Sequence, residues 1–141
     1  MKKKSIRTMK KKVWHEFSKF IRLRDCLKTT GLKDYGNCIT CGQVVPRSLL
    51  QAGHFIIGRH NANLFSERGV NAQCYNCNIN LKGNTLEYRR KIIEMYGEGA
   101  DIELEKEDRE TKKFTIPELE ELLEYYKEKI EELDNETDSV V

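Results

Sequence analysis

Long apolar runs are missing from this chain. None of its 141 residues belongs to an apolar stretch of about 18, which excludes a membrane-spanning helix. The lysine-rich start has no apolar segment behind it, so no secretory leader is expected and an intracellular, cytoplasmic setting is. Apolar residues are few as well, 38% against 34% charged, and a core built from so little usually needs a staple. Structural disulfides are uncommon inside cells. The five cysteines therefore read as four metal ligands and one remainder, Cys26.

Acidic side chains are scarce in the first two thirds. Residues 1–91 carry 19 Lys and Arg against five Asp and Glu, whereas residues 92–141 carry six against 18, so the overall +2 hides two opposed halves. A basic front of this size is the electrostatic footprint of a nucleic-acid binder. The positive charge continues past the lysine-rich end to Arg59, Arg68 and Lys82.

Residues 1–12 have no apolar period and read as a flexible basic arm that lies along phosphates or serves only for solubility. Val13, Phe17, Phe20 and Ile21 recur at helical spacing, with Trp14 beside them, and predict an amphipathic helix ending near Asp25. His15 has no ligand-type neighbour three or four residues away and reads as structural; Cys26 reads as a small buried hydrophobe. Residues 29–37 read as a loop. Leu49–Ile57 and Val70–Gln73 read as an outgoing and a returning strand, and Asn78–Lys82 as the opening of a helical turn. Asn84 and Glu87 fit a capping box for a helix that Gly97 stops. Residues 98–113 read as a charged linker or frayed helix. From Ile116 to Leu133 an apolar stripe recurs at three- and four-residue steps, suited to docking on the domain or to pairing with a second copy. Residues 134–141 read as a disordered acidic tail. The expected organisation is an arm (1–12), an α+β domain (13–97) and an acidic appendage (98–141).

The strongest chemical signal is the cysteine spacing. Cys38-x-x-Cys41 and Cys74-x-x-Cys77 form two knuckles about 30 residues apart, the pattern of a closed, structural four-thiolate zinc site. The zinc ties the segment before the hairpin to the segment after it. That is expected to bring His54, in the outgoing strand, across from the turn that begins at Asn78. A neutral imidazole can take a proton from water near pH 7. An amide oxygen such as that of Asn78 is a hard ligand suited to Mg²⁺, which keeps most of its waters. A base facing a hydrated divalent ion is equipment for attacking a phosphodiester.

The stretch Cys38–Asn84 resembles the HNH, or ββα-metal, endonucleases that carry a four-cysteine zinc, and more narrowly the phage NinG/Rap recombination family. The residues that carry this are Phe17-Ser18, Ile21-Arg22-Leu23-Arg24-Asp25, Cys38-Ile39-Thr40-Cys41-Gly42, Gln51-Ala52-Gly53-His54-Phe55, Ala72-Gln73-Cys74, Cys77-Asn78, Gly83-Asn84, Tyr88 and Tyr96-Gly97. The resemblance implies a zinc-stapled ββα-metal core with flanking helices and DNA cleavage dependent on Mg²⁺ or Mn²⁺. It also implies branched substrates such as Holliday junctions and, for a phage protein, the host cytoplasm. His54 takes the place of the catalytic base and Asn78 that of the catalytic metal ligand, with Arg59 and Lys82 contacting phosphates. The residue before the base, often a second ligand in HNH sequences, is Gly53 here. The middle asparagine of the motif falls near Gly69, with Asn71 in reach as a substitute, and His60 and Glu67 are competing ligands. A less selective nicking or restriction-type nuclease and a zinc module that binds DNA without cutting it are the alternatives. Cleavage of a four-way junction takes two nicks, which implies a homodimer, with Ile116–Leu133 as the candidate interface.

Overall fold

The first helix is the longest element. The computed structural model describes the backbone of residues 5–139 and the side chains of residues 5–136. Helix α1 spans Ile6–Thr30: Ser5 caps it by accepting from the Thr8 N–H, and Gly31 closes it in the left-handed conformation at φ 77°. The basic-arm reading therefore fails from residue 6 onward. Lys10, Lys11 and Lys12 ride on a helix whose buried face begins at Met9 and continues through Val13, Phe17 and Ile21, and Met9 extends the apolar period one turn further back. Residues 1–4 lie outside the described residues.

Two short hairpins follow. Strands β1 (Tyr35–Asn37) and β2 (Val44–Pro46) pair antiparallel around the first cysteine knuckle, so part of the expected 29–37 loop is strand. Strands β3 (Gln51–His54) and β4 (Val70–Gln73) pair antiparallel, with Gly53 opposite Asn71 and His54 opposite Val70. The outgoing strand is shorter than the apolar run suggested. Only Phe55 extends it, donating its N–H to the Gly69 carbonyl, before the chain turns through Gly58. After β4 the second knuckle opens a π-turn, Asn76–Asn80. Helix α2 spans Thr85–Tyr96 and stops at Gly97, as the sequence indicates.

The Asn84–Glu87 capping box does not form. Asn84 sits in the left-handed region at φ 48° with its amide turned toward the Cys77 sulfur, and Glu87 pairs with Arg90. The reciprocal box appears instead at Thr115 and Glu118. Each backbone N–H there bonds the other's side chain, opening helix α4 at Ile116–Ser139.

The acidic third is not an appendage. Residues 98–113 contain helix α3 (Ala100–Asp108), which inserts Ala100 and Leu104 against Phe55, Tyr88 and Ile92. Its charges, too dense to show a period, are spent on partners: Arg89 pairs with Asp101 and Glu105, and Arg68 with Glu103 and Glu107. The α4 stripe docks on α1, where Leu119 and Tyr126 are buried with Phe17 and Phe20. Docking, one of the two roles expected for the stripe, is the one seen within the chain; Ile116, Leu123, Ile130 and Leu133 pack against this contact and stay partly exposed. The helix also runs through residues 134–139, where a disordered tail was expected. No helix among the described residues is long and apolar enough to cross a membrane.

One polar clamp fixes α1 to the β3–β4 hairpin. Asp25, 5% exposed, accepts the Ala72 N–H at 2.7 Å. Its neighbour Arg24 bonds back to Asp25 and reaches the carbonyls of Glu67 and Val70 and the Asn71 amide oxygen. Asp25→Ala removes the acceptor for a buried N–H and leaves Arg24 without its counter-ion. We expect a loss of about 3 kcal/mol of stability, measured by urea denaturation; a loss within about 0.5 kcal/mol would contradict the clamp.

Candidate functional site

The four cysteines of the two knuckles converge. The sulfurs of Cys38, Cys41, Cys74 and Cys77 all lie within 4.8 Å of one another, and those of Cys41 and Cys74 are 3.8 Å apart. Sulfurs bound to one tetrahedral zinc at about 2.3 Å stand about 3.8 Å apart, so the donor set fits a structural zinc ion. The turns that aim the thiols are built locally: Gly42, at φ 77°, lets its N–H reach the Cys38 carbonyl, and the Asn78 N–H bonds the Cys74 carbonyl. Burial works against the Cys38 thiolate, but hydrogen bonds from the Cys41 backbone and Thr40 outweigh it and bring the thiol down to about 6. Burial and the neighbouring sulfurs push Cys41 up to about 12. Cys26 stays outside the cluster, fully buried under β1 against Gly36, as the sequence indicates.

His54 ends β3 with its ring stacked on Trp14 of α1, centroids 5.1 Å apart and planes 14° from parallel. Its Nε2 lies 3.1 Å from the Leu64 carbonyl. A carbonyl only accepts, so Nε2 carries the proton and Nδ1 keeps the lone pair. Burial lowers the imidazole pKa below its ordinary value; the positive charge of Arg59 adds to this, and the Leu64 carbonyl opposes it. His54 is therefore a fixed, neutral base near pH 7.

Asn78 is held from the other side. Its Nδ2 donates to Gln51 at 2.7 Å, which leaves Oδ1 free to act as a ligand. A Cβ built on Gly53 would stand 3.0 Å from that Oδ1 and 1.9 Å from Gln73 Oε1. Gly53 is thus required by space, because the Gln73 amide fills the position of its side chain. Gln73 donates to Thr40 and to the Gly83 carbonyl, while its buried Oε1 has no hydrogen-bond partner. Two amide oxygens therefore stand beside residue 53, the buried Oε1 of Gln73 and the half-buried Oδ1 of Asn78. The expected face-to-face meeting of His54 and Asn78 is not seen. Neighbouring strand residues leave opposite faces, so His54 turns toward α1 while residue 53 faces Asn78, and no hydrogen bond joins the two side chains.

The remaining residues sort clearly. Asn71, 1% exposed, spans the turn by donating to the Arg68 carbonyl and to Tyr88, whose hydroxyl donates to the Gly53 carbonyl at 2.6 Å. His60 is exposed and pairs with Asp108, and Glu67 accepts from Tyr126, so each of these competing ligands is engaged elsewhere. Arg59 lies 4.5 Å over the Trp14 ring and lines a groove of about 470 Å³ with Arg7, Lys10, Lys11 and Leu64. Lys82 is exposed beyond the π-turn, at φ 51°, and is not part of that groove. Gln73 and Trp14 were not read from the sequence as site residues. The Gly53 gap was the available signal for Gln73, since a missing side chain in a buried strand implies a neighbour that takes its space.

The family model described as bacteriophage lambda NinG protein matches residues 1–136. The chain belongs to the NinG family. It is 30% identical over 99 residues to protein ninG of Escherichia phage 933W, covering 70% of this chain and 48% of that protein. It is 32% identical over 97 residues to protein ninG of Salmonella phage P22, covering 68% and 47%. The chain thus spans about half the length of these NinG relatives. No solved structure matches it.

Two substitutions test this geometry. Cys38→Ser should lower bound zinc and destabilise the whole domain, because metal binding and folding are coupled in small zinc domains. Full zinc content by elemental analysis with unchanged melting would contradict the site. Gly53→Ala should displace the Gln73 amide and cost about 1–3 kcal/mol by denaturation; a neutral result would show that the crowding at residue 53 is relieved without loss.

Proposed function

We propose that this protein is a divalent-metal-dependent DNA endonuclease of the HNH kind, acting on branched DNA such as Holliday junctions. The observation that carries the reading is His54: a half-buried, neutral imidazole with one nitrogen committed to a backbone carbonyl and the other left as a base, beside a groove of four cationic side chains. Trp14 and Leu64, the two residues that position the imidazole, also line that groove. Phosphate contacts from that groove would set the backbone against the base. Asn78 Oδ1, against residue 53, would hold Mg²⁺, whose charge would stabilise the scissile phosphate; for that ion and His54 to serve one phosphate, the turn Asn76–Asn80 must shift when DNA binds. Stacking on Trp14 fixes the imidazole ring plane, and the Leu64 carbonyl fixes its tautomer.

A second reading has its own support. His54 turns toward α1 while Asn78, in the turn after β4, lies against residue 53, an arrangement expected if the zinc module binds DNA without cutting it. The variant His54→Ala separates the two readings. Cleavage of labelled junction DNA should fall by at least about a hundredfold, the low end of what a general base contributes, with binding by gel shift within about twofold of wild type. An unchanged cutting rate would remove His54 from the mechanism, and absence of cutting by the parent protein in Mg²⁺ and Mn²⁺ would favour the binding module.

The pH dependence has a definite sign. The imidazole pKa is lowered in the fold, so the base form persists below the ordinary value of about 6.5. The acid limb of the cleavage profile should therefore lie below 6.5, and an acid limb above it would contradict the burial argument. The same shift makes the unfolded chain the better proton acceptor, so this contribution to stability is lost as pH falls below about 6.5.

A further inference from the structure

On the other half of α1, two arginines line one pocket, and neither forms an ion pair with an acid of the described residues. Arg22 is half-buried on the helix, and Arg47 opens the 3-10 turn Arg47–Leu49 that follows β2. Arg22 spends its Nε on the Ser18 carbonyl, 3.2 Å away, and its remaining N–H groups have no protein partner. No ion pair joins Arg22 or Arg47 to an acid among the described residues. Both line a pocket of about 730 Å³ whose wall also carries Lys19 and the hydroxyl residues Tyr35 and Ser48. Two aspartates line it as well. Asp134 pairs with Lys33 at 3.5 Å, while the backbone carbonyl of Asp34 accepts the Arg47 N–H at 2.7 Å. Burial, and then the like charge of Arg47, lower the pKa of Arg22, so the pair bears an electrostatic cost that an anion would relieve.

We propose that Arg22, Arg47 and Lys19 form a phosphate-binding site distinct from the groove beside His54. The ligand chemistry is a phosphate group with several acceptor oxygens. Guanidinium forks match it bidentately, and the Ser48 and Tyr35 hydroxyls complete the donor set. Twelve residues separate Lys10 in the His54 groove from Arg22. That is about 18 Å along the helix and about a third of a turn around it, too far apart for one phosphate to serve both. The phosphate belongs either to a second stretch of nucleic-acid backbone or to a small phosphate compound. The site stands whether or not the protein cleaves DNA.

The test uses the full chain, zinc-loaded, with no other divalent ion added, so that no cleavage is read. Arginine Nε–Hε signals are followed by NMR while inorganic phosphate and, separately, a short labelled DNA duplex are added. Both Arg22 and Arg47 signals should shift. If phosphate alone moves them, the source is a small phosphate compound; if the duplex moves them, it is a backbone segment. In the backbone case Arg47→Ala should weaken duplex binding about tenfold and reduce the salt slope by about one, with circular dichroism unchanged. Arg59→Ala, in the other groove, should leave the Arg22 and Arg47 shifts intact. Signals that move with neither ligand would overturn the proposal.

Discussion

Four sulfurs within 4.8 Å of one another, placed to bind one zinc ion, are the constraint on which the β-hairpin region depends. They bring the β1–β2 hairpin to the turn that follows β4, segments more than 30 residues apart in the chain, within a small cluster of Val45, Leu50 and Ala72. Without a metal ion the four sulfurs stand close together and burial disfavours their thiolate forms. With one, the same crowding becomes a tetrahedral donor set. The staple sets where β4 ends, and therefore where Gln73 and Asn78 stand relative to β3. Gly53 answers the same constraint, since any side chain there would meet the Gln73 amide.

Around the staple, polar clamps do work that a larger core would otherwise do. Asp25 and Arg24 bind α1 to the back of the hairpin, and the Asn71–Tyr88 pair binds its tip to α2. The opposed charge of the two halves also acquires a structural meaning. Arg68 and Arg89 of the basic part are paired with acids of α3, so the acidic third neutralises positive charge on one side. The cations of α1 near Trp14 and those near Arg47 instead line two separate grooves. A charge split visible in the sequence thus becomes a spatial split between cations paired with α3 and cations that line grooves.

What was legible in the sequence follows local rules. The Cys-x-x-Cys spacing announces a turn that aims two thiols at one point, and both knuckles do so. Gly97 stops α2, and the stripe from Ile116 docks, because helical spacing of apolar residues sets the face. What was not legible depends on distant partners. The first turns of α1 look like a basic arm until Met9 finds the core, and α3 shows no period because Arg68 and Arg89, far back in the chain, satisfy its charges. The Asn84 box fails because the Cys77 sulfur competes for its amide. The relation of His54 to Asn78 was missed for a similar reason: spacing brings two strands together but does not say which face each side chain takes.

The central claim is that a neutral, tautomer-fixed His54 beside a cationic groove belongs to a metal-dependent nuclease. The most direct measurement incubates the purified protein with a labelled synthetic four-way junction and a linear duplex of matched sequence, with and without added Mg²⁺. The account predicts paired nicks in the junction only when Mg²⁺ is present, with the linear duplex cut far more slowly. Tight binding of both DNAs with no strand broken under any divalent ion would contradict it.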